Sequence, residues 1–245
     1  MVDLTKLKAE NTKRWSQAKL TRSSQFNPVA ARLVAPSAKA RYQAVEARTG
    51  VPWFFIAVAH ERESSQNWNG SLAQGDPWNK VSVHVPAGRG PFKSWEDAAV
   101  DALVNCAPRA AQNKDWSIGG TLTMLEQYNG LAYASAGRPS PYIWAGTSVY
   151  DPPTGPGGKV QRDHGPIENV TDEQLGCAGL FFVMMALDTS ITFDPTSHAA
   201  PPTSSTTVPP TKPPVATAPS VTNPTPGSIG AFIASIFSAI FNRKA

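Results

Sequence analysis

The stretch Pro52-Trp53-Phe54-Phe55-Ile56-Ala57-Val58-Ala59-His60-Glu61-Arg62-Glu63-Ser64 decides how the rest of the chain is read. Proline is favoured in a first helical turn, where its missing N–H costs nothing. The run therefore predicts a helix opening at Pro52. Its first two turns are apolar on every side, and its last turn is charged. An all-apolar helix must be buried, so this one runs from a protein core out to a wet surface. The plain reading of Glu61, Arg62 and Glu63 is a solvated helix end. The alternative is a carboxyl poised at the boundary between core and solvent, where partial desolvation raises its pKa.

Reading outward toward the N-terminus, Pro36-Ser37 opens another helix, with Ala40, Tyr42, Val45 and Ala47 at helical spacings and Gly50 as its C-cap. Residues 3–20 alternate charges with few large apolar groups, which predicts an exposed helix; residues 1–35 are read as an N-terminal helical arm. On the other side, residues 65–93 are rich in glycine and proline and read as loop and turn. Within them Lys80-Val81-Ser82-Val83-His84-Val85 alternates with period two. That predicts a short strand, closed by a turn at Pro86-Ala87-Gly88. With the valines inward, Ser82 and His84 would share the opposite face and look into a cleft. Ser94, with Asp97 three positions on, marks a helix start, and that helix continues to about Cys106. Two more follow, near 118–129 and 172–187, the second apolar nearly all round and therefore central. The expected fold is α+β and predominantly helical, with a small β-hairpin, in a domain spanning 36–194.

Composition changes after that domain. Residues 201–226 contain 9 prolines and 7 threonines in 26 positions, which cannot bury a core; we read 195–227 as a disordered, extended linker. Residues 228–245 read as an amphipathic helix. Ile229, Phe232, Ile233, Ile236, Phe237 and Ile240 fall on one side, small and polar residues on the other, and the end is cationic. The apolar tract 229–241 would be about 20 Å long as a helix, short of a bilayer span, but suited to lying in a membrane interface.

Charge is uneven. Residues 1–50 carry 10 Lys/Arg against 3 Asp/Glu, residues 51–200 carry 9 against 15, and residues 201–245 carry 3 against none, giving +7, −6 and +3. A nucleic-acid binder would show its basic footprint on the folded part, so no nucleic-acid partner is expected. Two cysteines and four histidines argue against a disulfide scaffold or a zinc centre. Cys106 and Cys177 read as buried free thiols, with a disulfide the alternative. The first 19 residues hold no apolar run, so no secretory signal is expected.

The motifs that carry chemistry follow the opening helix. Arg62-Glu63-Ser64-Ser65, after a helix of this pattern, resembles the catalytic-helix ending of the lysozyme superfamily, closest to goose-type lysozymes and soluble lytic transglycosylases. Tyr128-Asn129-Gly130 resembles the Tyr-Asn motif that lines the sugar cleft in those families, and the order of elements over roughly residues 37–190 is similar too. The resemblance implies that Glu63 protonates the glycosidic oxygen between N-acetylmuramic acid and N-acetylglucosamine. Glu61, two residues away, is the competing carboxylate, on a different face of the helix.

Asp76 stands where inverting lysozymes place an acidic residue that activates water, and Ser82 lies at the offset of a water-positioning Thr in phage-type lysozymes. Tyr142 and Trp144 follow Tyr128 and Asn129 as expected sugar-binding aromatics. The Gly-Leu-Met-Gln stretch of transglycosylases is missing, and Asp76 stands in that region; both favour a hydrolase. The chemistry needs no metal or other cofactor.

The linker and tail resemble the membrane-disturbing ends of some phage endolysins. That implies peptidoglycan as one partner and bacterial membrane lipid, through residues 228–245, as another. It also implies an enzyme held in a host bacterium's cytoplasm until released, or packaged in a virion. The rival readings are a lytic transglycosylase acting through Glu63 alone, a chitinase, and a membrane-disrupting protein whose domain only binds cell wall.

Overall fold

In the computed structural model, the described residues are 1–84, 86–160 and 166–193, all within one unit, Met1–Thr203. The expected linker, the expected tail helix and Val85 lie outside the described residues. Along the chain come helices α1 (Leu4–Gln17), α2 (Ser23–Leu33), α3 (Pro36–Thr49), α4 (Trp53–Ser64) and α5 (Trp95–Asn105). A 3-10 turn (Ala110–Gln112) follows, then α6 (Ile118–Tyr128) and the one-turn helices α7 (Ala132–Ser135) and α8 (Pro141–Trp144). The strands β1 (Lys159–Val160) and β2 (Ile167–Glu168) precede the last described helix, α9 (Cys177–Leu187). The fold is predominantly helical with one small antiparallel hairpin, in which Lys159 pairs with Glu168 and Val160 with Ile167. Among the described residues no helix is long and apolar enough to cross a membrane.

Helix α4 is the axis of the core. Every residue from Trp53 to His60 is buried, and α2, α3, α6 and α9 all pack against it. Pro52 is its N-cap. Its C-terminus is a Schellman closure: the Ser65 N–H donates to the Glu61 carbonyl at 2.8 Å, and the Gln66 N–H to the His60 carbonyl at 3.2 Å. Glycine usually supplies the left-handed residue there, but here Ser65 and Gln66 take φ 53° and 58°. The Gln66 side chain offsets that conformational cost. Its Oε1 accepts from Arg32 Nη1 at 2.8 Å, and its Nε2 donates to the Tyr42 hydroxyl at 3.0 Å.

Several local expectations hold. Ser94 caps α5 by accepting from the Asp97 N–H at 3.1 Å, and Gly50 closes α3 at φ 71°. Cys106 and Cys177 are free and buried. Three others need correction. The N-terminal segment opens with the expected largely exposed helix, but it is not a separate arm. Helix α1 packs along α6 and α2 along α9, so closely that a Cβ on Gly179 would lie 2.2 Å from the Phe26 ring. The last helix begins at Cys177, because residues 172–176 bend around the buried Asp172, whose Oδ1 accepts from the Gln174 N–H at 3.0 Å. The alternating run at 80–85 forms no strand over its described residues 80–84, and the hairpin lies instead at 159–168.

The uneven charge is resolved inside the fold. Six basic residues of the first fifty pair with acids of the body: Lys8 with Asp115, Arg22 with Asp151, Arg32 with Glu61, Lys39 with Asp188, Arg41 with Glu96 and Arg48 with Asp97. Each exposed pair contributes little, but together they match the +7 segment to the −6 segment.

One acid sits inside the seam between α1 and α6. Glu126 is fully buried. Its Oε2 accepts from Asn11 Nδ2 at 3.3 Å, and its Oε1 has no hydrogen-bond partner among the described residues. Burial pushes its pKa up to about 7, despite the opposing pull of Asn11 and Arg14, and Glu10 adds to the rise. A raised native pKa means that the folded protein holds the proton more tightly than the unfolded chain. Stability from this group is therefore full below about pH 4.5 and is lost as pH rises through about 7, by about 3 kcal/mol. We expect Glu126→Gln to flatten the fall in stability between those pH values, measured by urea unfolding at pH 5 and pH 8.

Candidate active site

Glu63 lies in the last turn of α4, on a side chain that keeps partial exposure. The loop after the helix doubles back beside it: a Cβ on Gly75 would meet the Glu63 carbonyl oxygen at 3.4 Å. From α8, the Tyr142 hydroxyl donates to Glu63 Oε1 at 2.9 Å. Dense protein around the carboxyl pushes its pKa up to about 7, against the lowering effects of the Tyr142 hydrogen bond and the Arg62 charge. With Oε1 accepting from tyrosine, the acid proton belongs on Oε2. Other walls come from α6 and α9. Burial, and then the charge of Glu63, push the Tyr128 hydroxyl well above its ordinary pKa, and burial raises the Cys177 thiol, with Glu63 adding to the rise. The Tyr128 hydroxyl donates to the Leu72 carbonyl at 3.1 Å, fastening the loop to α6.

The two carboxylates of α4 have different partners. Glu61 is paired with Arg32 at 2.6 Å, whereas Glu63 meets Tyr142. His60, one turn earlier and fully buried, is a structural histidine. Its Nε2 lies 3.1 Å from the Asn67 carbonyl and so carries the hydrogen, leaving Nδ1 to accept from the Tyr42 hydroxyl at 3.0 Å. Burial pushes its pKa down to about 4, so it is neutral at physiological pH.

The remaining expected residues divide. Asp76 is buried at the base of the loop that carries Ser82 and His84. Its Oδ2 accepts from the Val83 and His84 N–H groups at 2.8 and 2.9 Å, and its Oδ1 lies 2.6 Å from His84 Nδ1. Burial alone would raise its pKa; these hydrogen bonds outweigh that and hold it below the usual value. A carboxylate so engaged is a weak base. Ser82 is also buried, its hydroxyl donating to the Pro86 carbonyl and accepting from the Arg89 N–H, both at 2.9 Å. The expected facing fails: Val81 and Val83 are 55% and 77% exposed and His84 is exposed with them, while Ser82 alone of the four is inside. Asp76 and Ser82 together shape this loop.

Of the expected sugar-binding residues, Asn129 is exposed at the end of α6 and Tyr128 is partly so. Trp144 is fully buried and has no face for a sugar. Tyr142 is buried too, 3% exposed, with its hydroxyl engaged by Glu63. Reading by residue type named Arg62 in the motif but missed its contact: the guanidinium lies 4.8 Å from the centre of the Tyr142 ring. Among the described residues no cluster of three His, Cys, Asp or Glu is arranged to hold a metal.

No protein-family model, curated protein or solved structure matches this chain. The arrangement itself can do one kind of chemistry well. A carboxylic acid with a pKa of about 7, its second oxygen held by a tyrosine, delivers a proton near neutral pH and accepts it back. Because the tyrosine hydrogen bond favours the carboxylate, removing it should raise the pKa further. We expect Tyr142→Phe to move the Glu63 titration upward, read from the carbon-13 carboxyl signal that disappears in Glu63→Gln.

Proposed function

We propose that this chain is a peptidoglycan-cleaving enzyme with a lysozyme-like fold, acting on the bond between N-acetylmuramic acid and N-acetylglucosamine. The observation that carries the reading is the Tyr142-held Glu63, with its pKa raised to about 7 at the boundary of core and solvent. The succession of the motifs at 62–65 and 128–130 supports it, as does the electrostatic proximity of Tyr128 to Glu63, although the hairpin follows Tyr128 and Asn129 rather than preceding them. In the proposed step Glu63 Oε2 passes its proton to the glycosidic oxygen as the bond from that oxygen to the muramic C1 breaks. Hydrolysis is completed when water adds to C1 and its released proton returns, through solvent, to the Glu63 carboxylate.

The fate of C1 separates two readings. Asp76 was the expected base for the water, and its carboxylate is already engaged by three groups of its own loop. That observation favours a lytic transglycosylase as the second reading. There the muramic C6 hydroxyl attacks C1, its proton returns to the Glu63 carboxylate, and a 1,6-anhydro sugar forms without water. Action on membrane lipid through residues 228–245, and delivery from a bacterial host's cytoplasm or a virion, remain part of this proposal.

Purified peptidoglycan digested with the wild-type chain and with Glu63→Gln, and analysed by mass spectrometry, tests the proposal. We expect glycan fragments from the wild type and a fall of at least about 100-fold in the variant. Hydrated ends identify the hydrolase and anhydro ends the transglycosylase. An absence of glycan fragments from the wild type contradicts both, and points to membrane disruption or to another polymer.

A further inference from the structure

Arg62 and Asp172 form an ion pair that the chemistry above does not use, although it touches the residue holding the acid. We infer that Asp172 tunes Glu63 through the buried Arg62 guanidinium: it offsets the charge of the cation that lies against the Tyr142 ring, whose hydroxyl grips the acid. This rests on the reading of Glu63 as the proton donor.

The side chains of Arg62 and Asp172 are only 6% and 5% exposed, and their nearest charged atoms are 3.6 Å apart. Burying two charges is costly, and so loose a pair recovers little of it. Stability is thus a poor reason for its presence, whereas balancing the cation beside the acid is a good one. The guanidinium faces the Tyr142 ring at 4.8 Å, donates from Nη1 to the Leu175 carbonyl at 3.2 Å and pairs with Asp172. Among the described residues its buried Nε has no hydrogen-bond partner.

Asp172 is itself anchored. Its N–H donates to the Tyr150 hydroxyl at 3.0 Å, and Tyr150 in turn donates to the Gly158 carbonyl at 2.9 Å. Its Oδ1 accepts from Lys159 Nζ at 3.4 Å. The chain of contacts runs from Glu63 through Tyr142, Arg62 and Asp172 to strand β1.

The charges around the acid are accounted for by element: Tyr142 from α8, Tyr128 from α6, Cys177 from α9 and Arg62 from α4 itself. Around Asp172 stand Arg62, Lys159 of β1, Tyr133 of α7 and Tyr150. Asp172 partly neutralises the cation nearest Glu63. Its removal should let Arg62 pull the acid toward ionisation, while removal of Arg62 should do the reverse and also loosen the Tyr142 ring.

The test is a carbon-13 carboxyl titration of the full chain labelled at glutamate, with the Glu63 signal assigned by its loss in Glu63→Gln. Asp172→Asn should lower the Glu63 midpoint, and Arg62→Met should raise it, each by about one unit. Lys159→Met, at a side chain about one-third exposed, should raise it by less. Opposite signs from the two halves of one ion pair are the signature, because general loosening moves both the same way. Midpoints that stay put in folded variants, or shift in the same direction, overturn the inference. Should circular dichroism show Asp172→Asn unfolded, Arg62→Met and Lys159→Met decide, and no rise in either overturns it. Opposite shifts in a protein that cuts no peptidoglycan would leave the charge-offsetting role of Asp172 standing and remove the cleavage reading instead.

Discussion

Helix α4 must be dry on every side for two turns and then end in solvent with three charges. Most of the structure around it answers that demand. Four helices cover its apolar turns, each large side chain contributing about 1.5–3 kcal/mol on burial. The charged end is then given separate partners: Glu61 turns to Arg32 on α2, Arg62 is drawn under the Tyr142 ring, and Glu63 meets the tyrosine hydroxyl. Closing the helix within this crowd requires the left-handed Ser65–Gln66 turn. The returning loop uses Gly75 at φ 74° to pass close to the Glu63 carbonyl. The acid's raised pKa is the local consequence of a helix whose core ends abruptly.

The parts of this arrangement that were legible in the sequence are those set by local chemistry. Pro52 at the helix start, Ser94 as a cap and Gly50 as a C-cap are one-residue signals with a direct physical cause, and each sits where it was expected. Glu63 was legible for the same reason, as a charge at the end of an apolar run. Helix α2 was not, since Pro28 falls inside it and proline in a helix interior is normally disruptive. Packing of Phe26 against α9 decides in its favour, which is a long-range fact. The alternation at 80–85 was misleading because period two describes a strand only if the backbone is free to pair. Here the buried carboxylate of Asp76 takes the Val83 and His84 N–H groups itself. The true hairpin, two residues on each side, is too short for any periodicity to register.

The candidate site shows the same division. Residue type marked Tyr142 and Trp144 alike as aromatics for a sugar, but their environments differ. Trp144 is sealed in the core, while the hydroxyl of Tyr142, which must find a partner when buried, finds Glu63. Arg62 was visible only as one charge among three. Its significance comes from Asp172, more than a hundred positions away, and no local pattern links the two. The basic N-terminal segment likewise looked like a separate arm because its acidic partners are spread from Glu61 to Asp188.

Glu63 holds its proton near neutral pH because of where α4 ends. The most direct measurement is the carbon-13 carboxyl titration of Glu63 in the wild-type chain. A midpoint of about 7 is the result this account requires. A midpoint in the ordinary carboxylate range, at about 4.3, would mean that the carboxyl is solvated and ionised, and would contradict it.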